Sequence, residues 1–82
     1  LGRWSDAEGL YLRVADAAEL DFEIRGALEG AARSRRRQQN LPGAAEIYER
    51  ILNTFGADDP EKGIYELRLA EVREVVSWAP TS

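Results

Sequence analysis

Apolar positions along this chain recur at spacings of three and four, the period that lines one face of a helix. The first stripe is Trp4, Ala7, Tyr11, Val14 and Ala18. Ser5, or the turn before it, is placed to start this helix, with Asp6 and Glu8 near the positive end of its dipole. A second stripe runs Ile24, Ala27, Leu28, Ala31 and Ala32, and it passes into Arg33, Arg35, Arg36 and Arg37, where cations suit a helix C-terminus. Residues 38–40 loosen that helix. Leu41-Pro42-Gly43 reopens the chain, with Pro42 compatible with a first helical turn. The third stripe is Leu41, Ala44, Tyr48, Ile51 and Phe55, followed by Gly56 as a C-cap and Asp59-Pro60 as a helix opening. A last helix, over about residues 60–78, carries Tyr65, Leu69, Val72 and Val76 on one side, widened by Ile64, Leu67 and Val75. No segment alternates apolar and polar residues long enough to form a strand. The pattern predicts an all-α fold of four helices joined by short turns.

The stripes repeat one another. Trp4 and Leu41, Ala7 and Ala44, Tyr11 and Tyr48, and Val14 and Ile51 are each 37 residues apart. Ala32 and Ala70 are 38 apart, and their surroundings match: Ala31-Ala32-x-x-Arg35 beside Leu69-Ala70-x-x-Arg73. Helices one and three are therefore equivalent, as are helices two and four. A helix pair recurring at this spacing is the signature of a helix-hairpin solenoid.

Residues 1–14 resemble the second helix of the tetratricopeptide repeat family. They contain a Gly turn, an aromatic at the entry (Trp4), a small residue at the crossing (Ala7) and an aromatic one turn later (Tyr11). Residues 41–51 fit the same template. The family's first helix is matched less well: Leu28 and Leu69 serve as anchors and Ala32 and Ala70 as small contacts, but Arg35 and Arg73 stand where an aromatic is usual. The resemblance implies antiparallel helix hairpins in a right-handed α-solenoid. Residues 1–18 would be the second helix of one repeat, 21–55 a full repeat, and 60–79 the first helix of the next or a capping helix. A HEAT-like or other helical repeat is the alternative.

The family binds partners along a concave face lined by first helices. The resemblance puts Glu29, Arg33, Arg36 and Arg37 on or near that face, with Glu71 and Glu74 on the equivalent face of helix four. Arg forks suit carboxylates and phosphates, so the implied partner is a protein or peptide segment that is acidic. The competing reading is that the Arg block complements the helix dipole and pairs with Glu71 and Glu74. The implied function is protein–protein interaction or scaffolding. An accessory or oligomerisation module of a larger enzyme or regulator is the alternative, as is self-association through exposed solenoid ends.

Composition narrows the field. The chain has 82 residues and neither Cys nor His, so it lacks disulfide staples, imidazole pairs and the usual soft-metal ligands. No catalysis, metal or cofactor is expected within it. Asp58-Asp59-x-Glu61 sits at a helix start, where acids belong. Net charge is −4, and the single basic block at residues 33–37 is flanked by acidic stretches with no interleaved aromatic, which argues against nucleic acid. No apolar run approaches the roughly 20 residues that cross a bilayer. The chain opens on Leu1 and lacks Met, so an upstream segment is expected. A cytoplasmic setting is expected too, although such a segment could carry a signal. The expected buried set is Ala7, Tyr11, Ala32, Ala44, Tyr48 and Ile51, with Trp4 also a core knob. The face of helix one around Trp4 and Leu10 is expected to need a partner. Trp78 is expected to cover an open end or meet a further repeat.

Overall fold

The computed structural model of the chain describes residues 2–78, with side chains through residue 74. Four helices follow one another: α1 (Arg3–Ala17), α2 (Asp21–Arg37), α3 (Leu41–Phe55) and α4 (Lys62–Trp78), and no strand occurs among the described residues. α1 starts at Arg3, two residues before Ser5, and Gly2 at its head makes no side-chain cap. α2 matches its dipole at both ends, with Asp21 and Glu23 in its first turn and Arg35, Arg36 and Arg37 in its last. Gln39 leaves α2 with φ 60°, and the Asn40 N–H turns back to the Arg35 carbonyl at 2.8 Å. That geometry closes the helix with a left-handed residue, a position usually given to glycine. Asn40 then caps α3, its side-chain oxygen accepting from Gly43 N–H at 3.0 Å, and Pro42 occupies the first turn. Gly56 ends α3 at φ 76°. α4 begins at Lys62 rather than at Pro60. Residues 56–61 form a turn in which an Asp59 carboxylate oxygen accepts from Glu61 N–H.

Among the described residues, backbone packing joins only neighbours in sequence, α1 to α2, α2 to α3 and α3 to α4, in a slab 44 × 33 × 13 Å. The core lies along this line. α2 contributes Ala27, Leu28, Ala31, Ala32 and the buried Ser34, and α3 contributes Ala44, Ala45, Ile47, Tyr48 and Ile51. Ser34 satisfies its hydroxyl by donating to the Gly30 carbonyl one turn back, at 2.9 Å. From α4 come Tyr65, Leu69 and Val72.

Ala32, Ala44, Tyr48 and Ile51 are buried as their spacing predicts. Ala7 and Tyr11 are only half-buried, and Trp4 and Val14 are 43% and 50% exposed. α1 packs on α2 alone, through Tyr11, Leu12 and Ala15, so the rest of its stripe meets no second helix. α4 likewise packs on α3 alone. Ile64, Leu67 and Ala70, expected to widen its buried face or make the close contact, are exposed. The side chains of Val75, Val76 and Trp78 lie outside the described residues, and so does the expectation for Trp78.

Candidate functional site

The Arg block of α2 stands next to α3 and α4 rather than alone. Glu29, Arg33 and Arg36 of α2, Tyr48 of α3, and Tyr65 and Arg68 of α4 line an open cleft of about 150 Å³. That is below the roughly 300–1,000 Å³ of small-molecule sites and is room for a side chain or two. Beside it, Arg33, Arg36 and Arg37 line a second hollow, and Arg36, Leu41, Arg68, Glu71 and Val72 line a third. Five of the six sequence-predicted site residues thus fall on one continuous surface. Glu74 is exposed one turn beyond Glu71 on α4.

Among the described residues, no ion pair joins Arg33, Arg36 or Arg37 to a carboxylate. The groups they do meet are aromatic: Arg36 Nη1 lies 3.5 Å from the Tyr48 hydroxyl, at the outer limit of a hydrogen bond, and the Arg37 guanidinium sits 5.4 Å from the Trp4 ring centre. Glu71 shares a hollow with Arg36 and Arg68 without an ion pair to either. Arg35 behaves differently from the rest of its block. It is bound on both sides, to Glu8 of α1 at 3.1 Å and to the Gly43 carbonyl of α3 at 2.8 Å, and so serves the packing.

Glu29 is engaged from within. It accepts a hydrogen bond from the Tyr65 hydroxyl, whose oxygen accepts in turn from Arg25 Nη1 at 3.2 Å. Arg25 also holds Asp59 with both guanidinium arms, at 2.9 and 3.0 Å, reaches Glu61 at 3.0 Å, and stacks 4.1 Å over the Phe55 ring. This chain of contacts ties α2 to the 56–61 turn and to α4, although the backbones of α2 and α4 do not pack together. Its effects on ionisation follow from geometry. Arg25 holds the Asp59 carboxyl below its ordinary 3.8, and Asp59 raises the Arg25 guanidinium above its ordinary value. Burial, with help from the Glu29 carboxylate, pushes the Tyr65 phenol up to about 12, so it stays a donor to Glu29 throughout the neutral range.

Arg68, Tyr65 and Arg25 are not among the sequence-predicted site residues. Tyr65 and Arg68 lie more than 30 residues from Arg33, and their spacing places them on an α4 face without saying that α2 lies opposite. One signal was available. In the 38-residue register Arg68 corresponds to Gly30, and Tyr48 corresponds to Tyr11 at 37. Tyr11 lies directly on Gly30, where an added Cβ would come within 2.6 Å of its ring. With Arg68 in place of the glycine, Tyr48 becomes one wall of the cleft instead.

Among the described residues, no cluster of three or more acidic or soft ligands could hold a metal ion, and no helix is long and apolar enough to cross a membrane. No family model, no characterised protein and no solved structure matches this chain.

Proposed function

We propose that this chain is a protein–protein interaction module that takes an acidic segment of a partner on the surface formed by Arg33, Arg36, Arg37 and Arg68, flanked by Glu29, Glu71 and Glu74. The observation that carries this reading is the convergence of guanidiniums from two helices on one cleft, with no ion pair from Arg33, Arg36 or Arg37 to a carboxylate among the described residues. In a chain of net charge −4 such a patch is a local field of opposite sign, which steers anionic segments toward it. The two tyrosine hydroxyls supply neutral hydrogen-bonding groups on its floor.

The architectural half of the proposal is a tetratricopeptide-like right-handed solenoid, with residues 21–55 as a full repeat between a preceding second helix (1–18) and a following first or capping helix (60–79). The duplicated register supports it: Tyr65, Leu69 and Val72 are buried on α3 where Ala27, Ala31 and Ser34 are buried in α2. A second reading, an oligomerisation or accessory module of a larger protein, is favoured by the exposed Leu10 and Val14 of α1.

A fluorescent polyglutamate peptide, titrated at low and moderate salt, tests the binding reading. The expected result is salt-sensitive binding that is lost in Arg33→Glu/Arg36→Glu with helical content unchanged. Each exposed pair contributes about 0–1 kcal/mol and charge reversal adds repulsion, so the double variant is expected to lose about tenfold. Equal affinity in an intact double variant sinks the proposal.

A further inference from the structure

The row Ala7, Leu10 and Val14 on α1 corresponds, 37 residues earlier, to Ala44, Ile47 and Ile51 on α3. On α3 the row is buried, with Ile51 at 0% and Ile47 at 4% exposure; on α1, Leu10 is 57% and Val14 50% exposed. Single exposed hydrophobics are ordinary, but apolar residues at i, i+3 and i+7 form the docking stripe of an amphipathic helix.

α3 packs on both α2 and α4, and the hydrogen bond from Arg35 marks α2 as the neighbour on the side of this row. α2 lies there, its Arg35 reaching the Gly43 carbonyl, with Leu28 and Ala32 buried on the preceding turns of that side. α4 repeats α2 at 38 residues, so Glu66, Ala70 and Arg73 stand in the places of Leu28, Ala32 and Arg35. All three are exposed, because α4 packs on α3 with its other row, Tyr65, Leu69 and Val72. One chain therefore displays both halves of an interface that it already builds internally.

We propose that a second copy of this chain lays its α1 row on the α4 row of the first, as α3 lies on α2. Ala70 allows the close approach that Ala32 allows inside the molecule. Arg35 bridges backward to Glu8 and forward to the Gly43 carbonyl; Arg73 is already tied backward to Glu49. The forward position on the incoming α1 is Asp6, the equivalent of Gly43, which adds a carboxylate beside its own carbonyl. The contact joins two different surfaces, so docking leaves one α1 row and one α4 row free and growth runs head to tail. Glu66, where α2 has Leu28, makes this contact weaker than the internal one.

Sedimentation equilibrium of the whole chain, from micromolar to near-millimolar concentration, tests it. Mean mass is expected to climb past the dimer as concentration rises. Leu10→Asp/Val14→Asp and Ala70→Glu change only exposed positions, and each is expected to stay monomeric with unchanged helical circular dichroism. Mixed together, these two variants are expected to form a one-to-one pair that grows no further, since each retains the half the other lacks. Glu66→Leu is expected to tighten association about tenfold by burying an apolar side chain in place of a charge. The proposal is overturned if wild type and Glu66→Leu both remain monomeric. It is also overturned by a closed dimer indifferent to Ala70→Glu, or by a mixture that does not pair.

Discussion

The hairpins α1–α2 and α3–α4 are two versions of one pattern, and they differ in what surrounds them. In the first, Tyr11 lies on Gly30 and the crossing is shut. In the second, Arg68 takes the place of the glycine, and Tyr48 and Arg68 open a cationic cleft toward α2. The outer rows differ as well. Ala44, Ile47 and Ile51 of α3, a helix packed on both α2 and α4, are buried, whereas Ala7, Leu10 and Val14 of α1, which packs on α2, are half-buried or exposed. Similar residues at identical spacing are thus core in one place and surface in the other. Burial follows from the number of neighbouring helices, which the stripe itself does not encode.

The largest test of this comparison is a matched truncation. Ile51→Ala is expected to cost about 2–5 kcal/mol, because it empties a fully buried site. Val14→Ala, at the equivalent position on α1, is expected to cost no more than about 0.5 kcal/mol. Urea unfolding of both variants measures the pair, and equal losses would show that α1 is covered in solution.

A second test addresses the link between α2 and α4. Arg25→Met removes the charged hydrogen bonds to Asp59 and Tyr65 together with the guanidinium stacked on Phe55, and is expected to cost about 2 kcal/mol. The pH dependence has a definite sign. Asp59 holds its proton less tightly when folded than when unfolded, so its contribution is intact above its ordinary 3.8 and is lost as pH falls through the lower folded value. Thermal unfolding across the acid range is expected to show this loss in the wild type and a shallower slope in Arg25→Met. Parallel slopes would separate Asp59 from the clasp.

The last test compares two glycines of α2, and its smaller member is a gain rather than a loss. Gly30→Ala drives a methyl into the Tyr11 ring and is expected to destabilise by about 1–3 kcal/mol, less if the half-buried ring swings aside. Gly26→Ala meets open space in the middle of α2 and is expected to stabilise by about 0.5–1 kcal/mol. Thermal melts of the two side by side sharpen the contrast, and two gains of equal size would mean that Tyr11 is not held on Gly30.

Helix identity was legible in the residues because it is a local property. Stripe periods, the Arg cluster closing α2, Pro42 in a first turn and Gly56 at a helix end act within a few residues of where they stand. The α2 half of the surface, Glu29 to Arg37, was legible for the same reason, since i, i+3 and i+4 share a helix face whatever lies opposite. Asn40 shows the limit even at short range. It reads as a loosened helix end, yet its side chain caps the next helix.

What only the tertiary structure decided is which faces meet. The Arg25 chain through Asp59, Tyr65 and Glu29 joins residues 34 to 40 positions apart, and no local pattern marks them as partners. Arg68 enters the cleft because α3 carries α4 back beside α2, and Ala70 is exposed because nothing lies beyond α4 among the described residues. Period and capping depend on the chain's own neighbours, so the sequence determines them directly. Burial and ion pairing depend on distances between helices, which are set only when all four have packed.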